Sequence, residues 1–120
     1  MNTRPKTLFV DIDGTLIKSH GDLSSQMLLE PELLDGTLET LNTWEQKGYR
    51  IILTTGRKES LRDITVKQLA ELGIFYDLLI MGFGGGDRIL INDRKPDSEV
   101  DTCFAINLKR NVGIKDLNNI

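Results

Sequence analysis

Cysteine is almost missing from this chain: Cys103 is the only one. A single thiol excludes an internal disulfide and a cysteine-rich metal centre, and its place in the apolar run 102–107 predicts a buried small hydrophobe. Positive charge is in short supply too. Fifteen Lys and Arg against eighteen Asp and Glu give a formal charge of -3, mixed along the chain, which argues against a surface built to hold a nucleic-acid backbone. No apolar stretch approaches the ~20 residues of a membrane-spanning helix. Nothing near Met1 reads as a basic segment followed by an apolar run, so a cytoplasmic location is expected, with neither membrane nor nucleic acid as partner. Internal repeats and low-complexity tracts are absent as well.

What the chain does have is the composition of one folded domain. Hydrophobic residues make up 39% and charged residues 28% of 120 positions, enough for one core and too few residues for two. Short apolar runs at 8–10, 51–53, 78–81, 89–91 and 104–106 have the pattern of strands covered on both faces. Between them, Leu34, Leu38, Leu41 and Trp44 trace a helical stripe entered at Gly36 and Thr37 and stopped by Gly48. A second stripe, Leu61, Ile64, Leu69 and Leu72, follows a Ser60 cap with Asp63 three residues on, and ends at Gly73. Strands alternating with helices predict an α/β fold: a single Rossmann-like domain spanning 1–120, a mostly parallel sheet and helices on both faces. Residues 108–120 read as a C-terminal tail. The glycine-rich segment 82–88 lacks the final glycine of a dinucleotide loop and the Lys-Ser/Thr of a Walker loop, and reads as a tight turn.

In an open parallel sheet, ligands gather beyond the carboxyl ends of the strands. The first strand ends in Asp11-Ile12-Asp13-Gly14-Thr15, the second in Thr54-Thr55-Gly56-Arg57, and the fourth in Asn92-Asp93-Arg94-Lys95-Pro96-Asp97. Several carboxylates gathered there would repel by ~4 kcal/mol per pair at 4 Å, a cost that a cation removes. All-oxygen ligands point to magnesium, and magnesium in turn favours a phosphorylated partner. Asp11 could then attack phosphorus while Asp13 moves a proton. Thr55, backbone N–H groups of the two loops at Gly14 and Gly56, and Arg88 or Lys95 could hold the phosphoryl oxygens.

Asp11-Ile12-Asp13-Gly14-Thr15 resembles the D-x-D-G-T signature of the haloacid dehalogenase (HAD) superfamily. Thr55 matches that family's phosphate-binding Thr or Ser, and Asp93 with Asp97 matches its D-x-x-x-D acidic motif, so the likeness runs over 8–97. It implies a magnesium-dependent phosphatase working through an aspartyl-phosphate. In this reading Asp11 is the nucleophile, Asp13 the general acid/base, and Asp11, Asp13 and Asp93 hold Mg2+. Asn92 and Asp97 stand behind them. The family's basic residue falls to Arg88, then Lys95, then Lys67. Residues 17–36 leave no room for a cap domain and read as a flap that carries Lys18 and His20. A capless site either takes large substrates or borrows a lid from a neighbouring subunit, which makes a homo-oligomer one expectation. A likeness to small HAD proteins of bacterial surface-sugar pathways implies a sugar phosphate as substrate.

Two other readings compete. A receiver-type signalling domain needs its acceptor aspartate after the third strand, where this chain has Met81 and Gly82. A non-catalytic HAD fold kept for binding would be expected to lose the nucleophile, yet Asp11 is present. Arg57 and Lys58 read as loop cations in preference to phosphate clamps.

Overall fold

The computed structural model describes residues 4–120. Three of the expected strands form: β1 (Thr7–Asp11), β2 (Arg50–Thr54) and β3 (Leu78–Ile80). They make a parallel sheet in the order β1-β2-β3, with Val10 opposite Leu53 and Leu53 opposite Leu79. β2 is the central strand because its apolar run has a partner on either side. Asp77 extends the β2 to β3 pairing, its carboxylate accepting from the Ile51 N–H at 2.8 Å.

Three helices, α1 (Leu23–Leu28), α2 (Thr37–Gln46) and α3 (Arg62–Glu71), connect and cover the strands. α2 begins at Gly36 (φ 78°) and buries Leu41 and Trp44 on the expected stripe. The Thr37 hydroxyl, at its first turn, donates to the Leu16 carbonyl at 2.7 Å. α3 starts later than the sequence suggests. Glu59–Leu61 forms a 3₁₀ turn, and Leu61, not Ser60, occupies the cap position, with no side-chain capping bond. α1 lies inside segment 17–36, read from the sequence as a flap. Asp22 caps it, accepting from the Ser25 N–H at 2.8 Å. Buried Gln26 then ties the segment to itself, donating to the Lys18 carbonyl and accepting from the His20 N–H.

The C-terminal tail, 108–120, clasps the domain. Ile114 is buried in the core, the Trp44 indole N–H donates to the Leu117 carbonyl at 3.1 Å, and the Tyr49 hydroxyl donates to the Ile120 carbonyl at 3.0 Å. The clasp sits so close to the entrance of α2 that a Cβ on Gly113 (φ 93°) would fall 2.5 Å from the Asp35 carbonyl oxygen. Gly113→Ala therefore combines a left-handed backbone with a collision, and is expected to cost about 2 kcal/mol or more. A fall in the thermal midpoint checks this; an unchanged midpoint would show that the clasp does not hold α2.

The runs 89–91 and 104–106 do not join the sheet. Residues 88–107 form a mostly exposed arm without helix or strand, in a molecule measuring 51 by 28 by 25 Å. Its two sides are joined by polar side chains: Asn92 donates to the Thr102 hydroxyl, and Arg94 donates to Asp101. Cys103, expected to be buried, is half-buried there. Apolarity predicts that a run wants cover, but not which surface provides it. Phe9, Ile52 and Leu78 are cross-strand partners on one face of the sheet, and Phe9 and Leu78 are 55% and 51% exposed.

Candidate active site

The site begins where β1 ends. After Asp11 the chain turns so tightly that the Ile12 carbonyl accepts from the N–H groups of Thr15, Leu16 and Ile17. Gly14 (φ 89°) makes the turn feasible, and its carbonyl accepts from the Asn111 N–H at 2.8 Å. The turn sets Asp11 and Asp13 at the mouth of a cavity of about 160 Å³, bordered also by Gly14, Thr15, Leu108 and Arg110. The Asp11 side chain keeps contact with water, but the protein packed behind it is dense. Desolvation raises its pKa above the ordinary 3.8, and the Asp13 charge acts in the same direction. The Ile12 N–H, the Arg88 charge and the Thr15 hydroxyl pull the other way without cancelling the rise.

Asp13 is held differently. Arg57 donates from Nε to one carboxylate oxygen at 2.8 Å and from Nη2 to the other at 2.7 Å, a two-pronged pair. Arg57 is buried, and its Nη1 donates onward to the Thr65 hydroxyl at 3.0 Å and the Gln68 Oε1 at 2.8 Å, both on α3. The guanidinium thus ties the β1 loop to α3. Sequence reasoning took Arg57 for a loop cation; the structure buries it against Asp13. The signal was available only in combination: Thr65 and Gln68 put two oxygen acceptors on the face of α3 that turns inward.

Thr55 is buried, and its hydroxyl accepts from the Arg57 N–H at 3.1 Å. Gly56 approaches the loop after β3 so closely that a Cβ there would lie 2.5 Å from the Gly84 carbonyl oxygen and 3.7 Å from Arg88 Nη2. Arg88 donates to the Gly84 and Gly86 carbonyls, stacks over Phe83 and is close enough to Asp11 to act on its charge. Of the three basic residues considered, Arg88 is the one brought near Asp11. Lys95 lies on the arm, 4.0 Å from Asp93, and Lys67 is on the exposed side of α3. Arg110, not foreseen, packs its Cγ against Gly14 and lines the cavity.

The remaining acidic residues are elsewhere. Asp93 is exposed on the arm, where its carbonyl accepts from the Thr102 hydroxyl. Asn92 is bound to Thr102 as well, and Asp97 (φ 58°) sits in the turn at the tip, after Pro96. The Pro-Asp pair has the backbone signature of a turn with its third residue left-handed, closed by Ser98 N–H donating to the Lys95 carbonyl. Within one copy the expected magnesium ligands are therefore not assembled. Both oxygens of Asp13 are taken by Arg57, and among the described residues no three acidic, His or Cys side chains gather as a metal site. His20 lies in the segment after the first motif, with its Nε2 enclosed and without a hydrogen-bond partner among the described residues. Lys18 faces Glu32 at 3.7 Å. No helix among the described residues is long and apolar enough to cross a membrane.

The family model described as the PITM 1-3 LNS2 domain matches residues 8–90, which takes in the β1 loop, Arg57, α3 and Arg88. No curated protein matches the chain. Among solved structures, a chain of a Pnkp1/Rnl/Hen1 complex is 31% identical with a TM-score of 0.58, over 71% of this chain and 30% of that one. A second structure, of the Pnkp1/Rnl/Hen1 RNA repair complex, gives 29% and 0.55 over 79% of this chain and 28% of the other. A structural-genomics target from Vibrio cholerae shares the fold at 22% identity and a TM-score of 0.53, over 72% and 79% of the two chains. The chain thus spans under a third of the two Pnkp1/Rnl/Hen1 chains that it matches.

Proposed function

The chain belongs to the LNS2 domain family, a HAD-like phosphatase fold, and on that premise we propose that it is a phosphomonoester hydrolase with Asp11 as nucleophile. The observation that carries this reading is the division of labour between two carboxylates on one turn. Asp11 points into the cavity with no ion-pair partner among the described residues, while Asp13 beside it is fixed by Arg57.

In the first step an Asp11 oxygen attacks phosphorus, the bond to the leaving oxygen breaks, and that oxygen takes a proton from Asp13 in its acid form. In the second, water attacks the phosphoryl-aspartate, Asp13 recovers the proton, and inorganic phosphate leaves with the Asp11 carboxylate restored. Arg57 bound to both Asp13 oxygens has the geometry of the form that receives the proton, and holds it toward the cavity. Arg88 and the N–H groups of the β1 turn supply positive potential where phosphoryl charge develops. No step is assigned to magnesium, since one copy does not present its ligands together. The small open cavity fits a phosphoryl group with the rest of the substrate lying outside, and a sugar phosphate is the substrate class we favour.

Arg110 borders that outer space and makes no hydrogen bond or ion pair among the described residues, so we assign it to substrate oxygens. Losing one charge-assisted hydrogen bond costs ~1.5–3 kcal/mol, so Arg110→Ala is expected to lower kcat/KM about tenfold to a hundredfold, mainly through KM. Arg110→Lys should recover part of the loss; equal KM in all three proteins would remove Arg110 from the site. The reading as a whole is tested by phosphate release from an aryl phosphate and a panel of sugar phosphates and nucleotides, with magnesium and then with chelator. Release by the wild type but not by Asp11→Asn supports it, and release by both sinks the covalent route.

A further inference from the structure

The arm exposes what a folded chain normally hides. Ile89 and Ile91 are 82% and 89% exposed, and Phe104, on its other side, is 79% exposed. Beside it the sheet is unfinished. β1 is an edge strand with a free row of backbone donors and acceptors, and Phe9 and Leu78 stand uncovered on one face. An apolar extended segment and an open sheet edge have complementary needs, but the topology keeps them apart within one copy. The start of the arm is tied at the carboxyl end of the sheet, in the loop after β2: Gly82 N–H donates to the Arg57 carbonyl and Phe83 N–H to the Thr55 carbonyl, and Arg88 folds back on the Gly84 and Gly86 carbonyls. The end of the arm is anchored at the same place, Asn111 N–H donating to the Gly14 carbonyl and Asn111 Oδ1 accepting from the Ser19 N–H. A strand parallel to β1 must enter at the amino end of β1. Residues 89–91 start at the wrong end to do this in their own molecule, about five residues of rise away, ~16 Å.

We propose that two copies exchange arms: residues 89–91 of one copy add in parallel to the free β1 edge of the other, and Phe104 and Ile106 cover its Phe9 and Leu78 row. Parallel addition carries the residues after 91 to the carboxyl end of the partner's β1, so Asp93 of one copy arrives beside Asp11 and Asp13 of the other. The site that lacks a third carboxylate and the carboxylate that lacks a site are then joined. A two-fold exchange satisfies both copies at once, and two arms of this length supply the 20–30 residues a side of a standard interface. The assembly stands on the fold alone; the role given to Asp93 rests on the proposed hydrolase reading.

Three measurements decide it. Sedimentation equilibrium of the full chain is expected to give twice the 13.5 kDa chain mass at micromolar concentration. A monomer there overturns the exchange. Next, in a Cys103→Ser background, one copy carries Phe9→Cys and a differently tagged copy carries Leu90→Cys, and the mixture is treated with a short bis-maleimide after denaturation and joint refolding. Linkage between the two tags supports exchange; a dimer that never links them overturns it. Finally, Asp11→Asn and Asp93→Asn proteins, each inactive alone, are refolded together. Half of the randomly paired dimers are mixed and each holds one intact site, so about a quarter of wild-type phosphate release should return. No recovery overturns delivery of Asp93 in trans. A wild type that links its arms but releases no phosphate overturns the hydrolase reading and leaves the exchange supported.

Discussion

Asparagine in place of Asp11 is expected to leave a folded protein whose phosphate release falls by about four orders of magnitude or more, the scale on which loss of a nucleophile is felt. The stability half of this expectation is as informative as the kinetic half. Burial, with the Asp13 charge acting alongside it, raises the Asp11 pKa, so the carboxyl ionises more easily in the unfolded chain than in the folded one. At neutral pH the ionised group therefore works against folding, and a neutral amide of the same shape removes that opposition. The variant should unfold at the same temperature as the wild type or higher. Low activity with a raised midpoint identifies a charge kept for chemistry at the expense of stability; low activity with a lowered midpoint would instead make Asp11 a structural residue.

The second large effect is expected at Arg57. Arg57→Met keeps most of the buried length and removes both prongs on Asp13, along with the bonds to Thr65 and Gln68. Breaking a buried ion pair from one side costs ~3–5 kcal/mol, and the lower end applies here because Asp13 still touches water. Urea denaturation should show the loss. Arg57→Lys should recover little, because an ammonium cannot make the two-pronged pair and reach α3 as well. Pairing Arg57→Met with Asp13→Asn separates the terms: the double variant should be more stable than the sum of the single losses, since no uncompensated carboxylate remains. Strict additivity would mean that the pair is not coupled and that Arg57 acts only through α3. Turnover should also fall, through an Asp13 that is no longer oriented.

Much of the site could be read from residue order. An apolar run that stops at Asp11-Ile12-Asp13-Gly14-Thr15 specifies a strand end, a glycine turn and two carboxylates within a few residues, and local chain geometry brings these together whatever else folds. The Thr55-Gly56 loop was legible for the same reason. Arg57 was not, because a cation in a glycine turn looks the same whether it faces water or is drawn inward. Only the packing of α3 brings Thr65 and Gln68 around it. Arg110 was hidden more deeply: ninety-six residues separate it from Gly14, and no local pattern announces that the chain returns there.

The same division runs through the fold. Sequence by itself marked the first three strands, α2, most of α3, a parallel sheet and the acidic turn after β1, because periodicity and turn chemistry act over a few residues; it did not mark α1. It also marked 89–91 and 104–106 as segments that need apolar cover. Tertiary structure alone decided where that cover can come from. With both feet of the arm tied at the carboxyl end of the sheet, the fold does not lay these residues along their own edge strand. Strand pairing needs direction and position as well as apolar side chains, and those are properties of the assembled backbone.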